Sequence, residues 1–147
     1  MLTIRTMTID DYDSVYDLWL NTEGMGLNSV DDSRDGIDEY LKRNPTTCFV
    51  ALSDNAIIGV IMAGNDGRRG YIYHTAVAKN FRHQGIGTEL VNAAMRELEA
   101  LGITKVALVA FRQNESGNAF WEAQGFTVRN DLMYRNKAIK QMTRIDT

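Results

Sequence analysis

The sequence predicts a mixed α/β fold of the α+β kind, occupying residues 1–147 as one domain, and three observations predict it. Between Thr47 and Val77 three strand-like runs follow one another with only short turns between them, the mark of an antiparallel sheet rather than of repeated βαβ units. Gly87 to Leu101 then sorts its apolar residues onto one face as a helix does, and a nearly continuous apolar strand, Thr104 to Phe111, comes after it. Further helical patterns lie before the hairpins and after that strand, so the order is β-α-α-β-β-β-α-β-α-β-β with about four helices.

Each element has a local reason. Leu2 to Arg5 alternates as a short strand. Thr8-Ile9-Asp10-Asp11 offers a capping box, and the helix it opens carries Tyr12, Val15, Tyr16, Leu18 and Trp19 near one face. Asn21 to Gly26 breaks that pattern as a glycine-bearing loop. A second helix is predicted over about Ser33 to Arg43, ending at Asn44-Pro45 because the residue before a proline is pushed out of helical geometry. Thr47 to Leu52 and Ala56 to Gly64, joined by the turn formers Ser53-Asp54-Asn55, make a hairpin. Asn65 to Gly70 turns the chain into the aromatic and β-branched run Tyr71 to Val77. The helix from Gly87 carries Leu90, Val91, Ala94, Leu98 and Leu101 on one face and ends at Gly102. Ser116 to Gln124 is a short helix closed by Gly125, and Phe126 to Val128 and Leu132 to Tyr134 supply two late strands.

Composition narrows the function. With 44% hydrophobic residues the chain has the material for a core. Sixteen Lys and Arg against nineteen Asp and Glu leave a net charge of −3, which excludes a protein built to coat polyanions, so no nucleic-acid partner is expected. The longest apolar stretches, such as Ala56 to Ala63, fall far short of the ~18–20 residues that cross a bilayer. Met1 to Arg5 lacks the layout of a signal peptide, and a soluble cytoplasmic protein with no membrane partner is expected. Cys48, the single cysteine, reads as a small buried apolar residue, and no His/Cys/Asp cluster has the spacing of a metal site.

The stretch Val77-Ala78-Lys79-Asn80-Phe81-Arg82-His83-Gln84-Gly85-Ile86-Gly87-Thr88 joins a strand, through a compact turn with two glycines, to the best helix of the chain. At a helix N-terminus the first backbone N–H groups lack intrahelical partners and the dipole is positive, so an anion such as a pyrophosphate binds there. Gly85 and Gly87 put no Cβ in its way, and Arg82 adds a permanent positive charge. A Walker A loop would place Lys and then Ser or Thr after its last glycine, where Thr88 and Glu89 stand, and a dinucleotide fingerprint would need a glycine where Leu90 stands. The residues therefore point away from ATP and NAD, and on spacing alone an anion site and a plain tight turn both stay open.

Arg82-His83-Gln84-Gly85-Ile86-Gly87 resembles the (Arg/Gln)-x-x-Gly-x-(Gly/Ala) signature of the GNAT superfamily of N-acetyltransferases. Val77 at the strand end, Phe81 before Arg82, Asn114, and Ala119-Phe120-Trp121-Glu122-Ala123-Gln124-Gly125-Phe126 are similar to further landmarks of that family, and the order of elements matches over nearly the whole chain. The resemblance implies a GNAT-type mixed, mostly antiparallel twisted sheet that splays between its fourth and fifth strands, here Tyr71 to Val77 and Thr104 to Phe111. It also implies acetyl-CoA as cosubstrate in that splay, with no metal. The pyrophosphate is expected on the backbone of His83, Gln84, Gly85, Ile86, Gly87 and Thr88 beside Arg82, and the pantetheine arm along the strand edge at Ala76 and Val77. The Val77 N–H is implied as the donor that polarises the thioester carbonyl. Asn114 is expected at the pantetheine or its thiol end, and equally fits a turn before a short helix; Trp121 is counted in the cofactor-binding set and is also suited to packing.

The implied reaction is direct attack of a primary amine on the thioester, without a covalent enzyme intermediate and so without a role for Cys48. Where Trp121 stands, many family members carry a tyrosine that protonates the leaving thiolate; an indole cannot, which leaves water, Tyr134 or Tyr73. The candidate bases are Glu23, Asp66, Tyr73 and His74. Neighbours on a strand face opposite ways, so only one of Tyr73 and His74 is expected to look into the splay. The acceptor is a small amine or a peptide or protein amine. Glu23, Asp31, Asp32, Asp35, Asp38 and Glu39 favour a cationic one, or else form a solvated helix face, and Arg68 and Arg69 are placed to meet an anionic group on either substrate. The alternative function is an acyl-CoA-binding sensor that keeps the site without catalysis. Edge strands of this fold pair, so a homodimer is a further expectation.

Overall fold

The computed structural model describes residues 1–145. In chain order its elements are β1 (Leu2–Thr6), α1 (Tyr12–Leu20), β2 (Leu27–Asn28), α2 (Arg34–Arg43), β3 (Phe49–Ser53), β4 (Ala56–Asn65), β5 (Gly70–Val77), α3 (Ile86–Ala100), β6 (Val106–Ala107), α4 (Glu115–Ala123) and β7 (Arg144–Ile145). The main sheet runs β1-β3-β4-β5-β6, and every pairing in it is antiparallel except that of β5 with β6. β2 and β7 form a small antiparallel ladder of their own. The mixed, mostly antiparallel architecture with four helices is the expected one.

Local chemistry accounts for the boundaries. Asp11 accepts the Thr8 N–H at 2.9 Å and both guanidinium nitrogens of Arg5 at 2.8 Å, which sets a short 3-10 turn ahead of α1. Ser33 caps α2 by accepting the Gly36 N–H at 3.1 Å, and the helix stops at Asn44, the residue before Pro45. The β3–β4 hairpin turns on two residues rather than three, because Ser53 belongs to β3 while Asp54 and Asn55 take φ values of 50° and 69°.

The sheet buries both faces. Under α1 and α2 lie Val50, Val60, Met62 and Ala76 around a fully buried Trp19; under α3 lie Ala51, Ile61, Ala63 and Ile72 against Leu90, Val91, Ala94 and Leu98. Each large apolar side chain so buried contributes about 1.5–3 kcal/mol. Cys48 is buried in the first of these layers, as expected. β5 and β6 pair only at Gly70 with Val106 and Tyr71 with Ala107. Past Tyr71 they diverge, and the free edge of β5 becomes one wall of an open cleft.

That divergence overturns part of the expected strand set. The strand over Thr104 to Phe111 is cut to Val106–Ala107, since the splay removes its ladder partner, and Val109 and Phe111 are exposed. Phe126 to Val128 and Leu132 to Tyr134 form no strand. Between them Arg129 closes on Asp131 at 2.8 Å, and Val128, Leu132 and Met133 face solvent, so Phe126 alone packs on the core and no alternating face fixes a register.

Candidate active site

The chain leaves β5 by a 3-10 turn, Lys79–Phe81, and reaches α3 through His83 and Gly85, whose φ values of 63° and 80° reverse its direction. A Cβ built on Gly85 would meet nothing within 4 Å, so the space before the turn is open. Helical pairing in α3 starts with the Glu89 N–H to the Gly85 carbonyl at 3.1 Å. The amides of Ile86, Gly87 and Thr88 therefore lack intrahelical partners and gather at the positive end of the helix dipole. Gly87 serves a different end, since a Cβ there would stand 3.0 Å from the Phe120 ring; glycine lets α3 close on α4. Gln124 Nε2 adds a second tie by donating to Thr88 Oγ1 at 2.9 Å. Arg82 Nε donates to the Val77 carbonyl at 3.0 Å, which holds the guanidinium beside the turn. Arg82, His83, Gly85, Ile86, Gly87 and Thr88 line the cleft, whereas Gln84 lies off its lining.

Along β5 the Ala78 N–H donates to the Ile58 carbonyl at 2.7 Å. By ladder alternation Ala76 turns its backbone to Val60 of β4, and Val77 turns its N–H the other way, toward the cleft. The strand edge thus offers an amide at Val77 and not at Ala76. Asn114 Oδ1 accepts the Gly117 N–H at 3.0 Å, so the turn role holds: this side chain caps α4 while lining the cleft. Trp121 packs edge-on to Phe120 and Phe126 with ring centroids 5.0 and 5.3 Å away, and it also lines the cleft.

The candidate bases separate clearly. Val60 pairs with Ala76 and Met62 with Tyr73, so His74 and Thr75 together oppose Ile61 alone, a β-bulge in β5. His74 takes φ 34° there. The bulge cancels the strand alternation, and Tyr73 and His74 both line the cleft with rings 6.1 Å apart, which corrects the expectation that only one of them would. His74 Nε2 lies 2.7 Å from Asp32 Oδ1, and the His74 carbonyl accepts Trp19 Nε1–H at 3.1 Å. Tyr73 stands edge-on to Tyr40 at 5.8 Å and beside Tyr71 at 4.7 Å. Burial pushes the Tyr71 phenol up to about 12 and raises that of Tyr73, so both keep their protons at neutral pH.

Glu23 reaches the cleft from the α1–β2 loop. Asp66 does not, because its carboxylate accepts the amides of Arg68 and Arg69 at 2.8 Å within its own turn, and Arg68 and Arg69 are likewise off the cleft lining. Of the remaining acidic residues Asp31, Asp32 and Glu39 line the cleft; Asp35 and Asp38 do not, Asp38 being paired with Lys42 at 3.1 Å. Asp32 as the partner of His74 and Trp19 as its clamp lie 42 and 55 residues away along the chain, so no local pattern could have paired them. Among the described residues no three or more His, Cys, Asp or Glu are grouped to hold a metal ion, and no helix is long and apolar enough to cross a membrane.

Known proteins share this fold. Residues 12–126 match the acetyltransferase (GNAT) family. An acetyltransferase of Pectobacterium atrosepticum is 30% identical over 121 residues, covering 82% of this chain and 84% of its own. The PaiA N-acetyltransferase of Thermoplasma acidophilum, solved in complex with coenzyme A, superposes with a TM-score of 0.75 at 16% identity over 100% of this chain and 99% of its own. The aminoglycoside N-acetyltransferase AAC(6')-Iy, solved with the bisubstrate analogue CoA-S-monomethyl-acetylneamine, gives 0.71 at 19% identity over 94% of this chain and 99% of its own. With the family match spanning most of the chain, and with the splayed sheet and the glycine turn at the head of α3, the chain belongs to the GNAT family of acetyltransferases, enzymes of acetyl-CoA-dependent acetyl transfer.

Proposed function

We propose that the protein holds acetyl-CoA in this cleft and moves its acetyl group to the primary amine of a small cationic molecule by direct attack, with a peptide amine as the second acceptor class. The observation that carries the reading is the junction of β5 with α3, where the unpaired amides of Ile86, Gly87 and Thr88, the open space before Gly85 and the Arg82 guanidinium lie at one end of a cleft whose wall carries the Val77 N–H. Three amides on a positive helix end suit pyrophosphate oxygens, and no side chain stands in the way at Gly85.

Acetyl-CoA, when bound, supplies an activated acetyl thioester. Val77 N–H donates to the carbonyl oxygen as negative charge gathers on it, the kind of fixed donor worth about 3–4 kcal/mol in acyl transfer. Asp31, Glu39 and Glu23 line the acceptor side with carboxylates that draw a cationic amine in. Tyr73, whose phenol keeps its proton, is the donor on β5 that stands in for a tyrosine at position 121. The carboxylates of Asp31, Glu39 and Glu23 are what ranks a small cationic acceptor ahead of a peptide.

The test is thiol release from acetyl-CoA against a panel of diamines, aminoglycosides and short peptides, with the acetylated product identified by mass. The reading expects release that depends on a small cationic amine. Acetyl-CoA binding with no release for any amine would favour the acyl-CoA sensor instead.

A further inference from the structure

The bulge in β5 does more than expose two neighbours to the cleft. A non-glycine residue at φ 34° is held in sparsely populated backbone, and such strain persists only where the surroundings over-determine it. Here three contacts do so. Trp19 Nε1 donates to the His74 carbonyl, Asp32 Oδ1 meets His74 Nε2 at 2.7 Å, and the Trp19 ring stands edge-on to the imidazole at 5.1 Å. Asp32 is itself fixed from behind: its Oδ2 accepts the Asn28 N–H at 2.8 Å, and its carbonyl accepts the Tyr12 hydroxyl at 2.6 Å. The dyad is shielded, with the His74 side chain 14% and the Asp32 side chain 4% exposed.

The other imidazole nitrogen, Nδ1, has no protein partner among the described residues and is not a buried unpaired atom, a position that Tyr40 Oη alone holds there. It therefore opens to the cleft that His74 lines. A carboxylate on Nε2 places the ring proton there and leaves the Nδ1 lone pair facing outward. Val77 follows three residues later on the same strand, and because the bulge sets His74 and Thr75 against one residue of β4 it lies about two regular rises away, roughly 7 Å, a gap that an imidazole, an amine nitrogen and one water bridge.

We propose that His74 Nδ1 is the general base for the acceptor amine and that Asp32 is its positioning residue; this rests on the acetyl-transfer reading above. The acceptor ammonium first passes one proton to His74 Nδ1; the freed amine nitrogen bonds to the acetyl carbon, the C–S bond breaks with its electron pair on sulfur, and the nitrogen sheds its second proton toward the thiolate. The imidazolium so formed is held against the Asp32 carboxylate and then gives its proton up to water, while the Tyr73 hydroxyl relays the second proton to the thiolate. Charged and titratable groups lining the same cleft include Asp31, Glu23 and Glu39, the cations Lys42 and Arg43, and the Tyr73 phenol.

Two variants test this. His74→Gly suits the positive φ, so the fold is kept, and it leaves a ring-sized space between Trp19 and Asp32. Asp32→Asn has one amide oxygen, which the Asn28 N–H claims; its NH₂ then faces Nε2 and drives the ring proton to Nδ1, the wrong tautomer for a base. We expect His74→Gly to lower kcat by about 10²–10⁴-fold with calorimetric acetyl-CoA affinity unchanged, and added imidazole to restore at least tenfold of it. Asp32→Asn should lower kcat while leaving the KM for acetyl-CoA alone, and the double variant should be no worse than His74→Gly by itself. A His74→Gly enzyme that keeps kcat within threefold of the parent, or that imidazole cannot rescue, overturns the base assignment alone. Additive losses in the double variant overturn the role of Asp32. A parent protein that binds acetyl-CoA yet acetylates no amine overturns the underlying reading and this assignment with it.

Discussion

The indole N–H of Trp19, near the C-terminal end of α1, donates to the carbonyl of His74 at 3.1 Å, so a fully buried aromatic of the core is bonded to positive-φ backbone of the cleft. The bond replaces a ladder partner that the β-bulge removes, since His74 and Thr75 share the single opposing residue Ile61. Core packing and site geometry are thereby coupled through one hydrogen bond.

Removing that bond should be felt in both places. Trp19→Phe keeps an aromatic ring but leaves the His74 carbonyl without its donor, at a cost of about 1–3 kcal/mol plus a share for the lost volume. Urea denaturation should show the destabilisation, and kinetics should show kcat falling while the KM for acetyl-CoA holds. Unchanged kcat in a folded Trp19→Phe protein would mean that the bulge holds its shape without the indole.

Gly85 and Gly67 make a matched pair, because both take positive φ, 80° and 91°, and a Cβ on either would meet nothing within 4 Å. Alanine at each should cost about 1–2 kcal/mol of stability through backbone strain alone. Only Gly85→Ala places its methyl in the proposed phosphate site, so CoA affinity should fall about 10–100-fold in that variant and stay at the parental value in Gly67→Ala. Calorimetric titration of the two side by side distinguishes strain from obstruction.

The Arg5–Asp11 pair carries an acid-side signature. Burial acts to raise the Asp11 carboxyl, and the hydrogen bonds from Arg5 and from the Thr8 amide, with the Arg5 charge, more than reverse it, so the folded state holds it below the usual carboxylate range. A carboxyl lowered on folding stabilises the protein above its unfolded value, near 3.9, and stops doing so as pH falls through the lower folded one. With Arg5 partly exposed, Asp11→Asn should cost about 1–2 kcal/mol at pH 7. Denaturation curves of the variant and the parent should converge as pH falls from about 4 toward 2.

Cys48 should be chemically silent in the folded protein. Burial pushes its thiol up to about 12, and the thiol donates to the Ala63 carbonyl at 3.4 Å. A disulfide reagent at pH 8 should leave the native thiol untouched and titrate one thiol per chain in guanidinium. Rapid modification of the native protein would place Cys48 at the surface.

Local signals in the chain accounted for most of the elements and for the glycine turn at the head of α3. The Ser33 cap, the stop before Pro45, the apolar face of α3 and the turn through Gly85 each rest on residues a few positions apart, and the structure has them where the pattern puts them. What the pattern could not carry is tertiary. The bulge at His74 depends on how β4 meets β5, and the Asp32 contact joins segments 42 residues apart, so strand alternation misassigned Tyr73 and His74. Leu108, Val109 and Phe111 look strand-forming, yet a splay takes away the neighbour that a strand needs, and β-propensity holds only on a surface that is covered. The ladder of Leu27–Asn28 with Arg144–Ile145 gave no signal at all, being two residues deep on each side.

The most direct test of the account is a calorimetric titration of the protein with acetyl-CoA, with ATP and NAD as controls. One acetyl-CoA per chain, with ATP and NAD failing to bind, is the predicted result. No binding of acetyl-CoA, or equal binding of ATP, would contradict it and leave the turn at the head of α3 as a turn only.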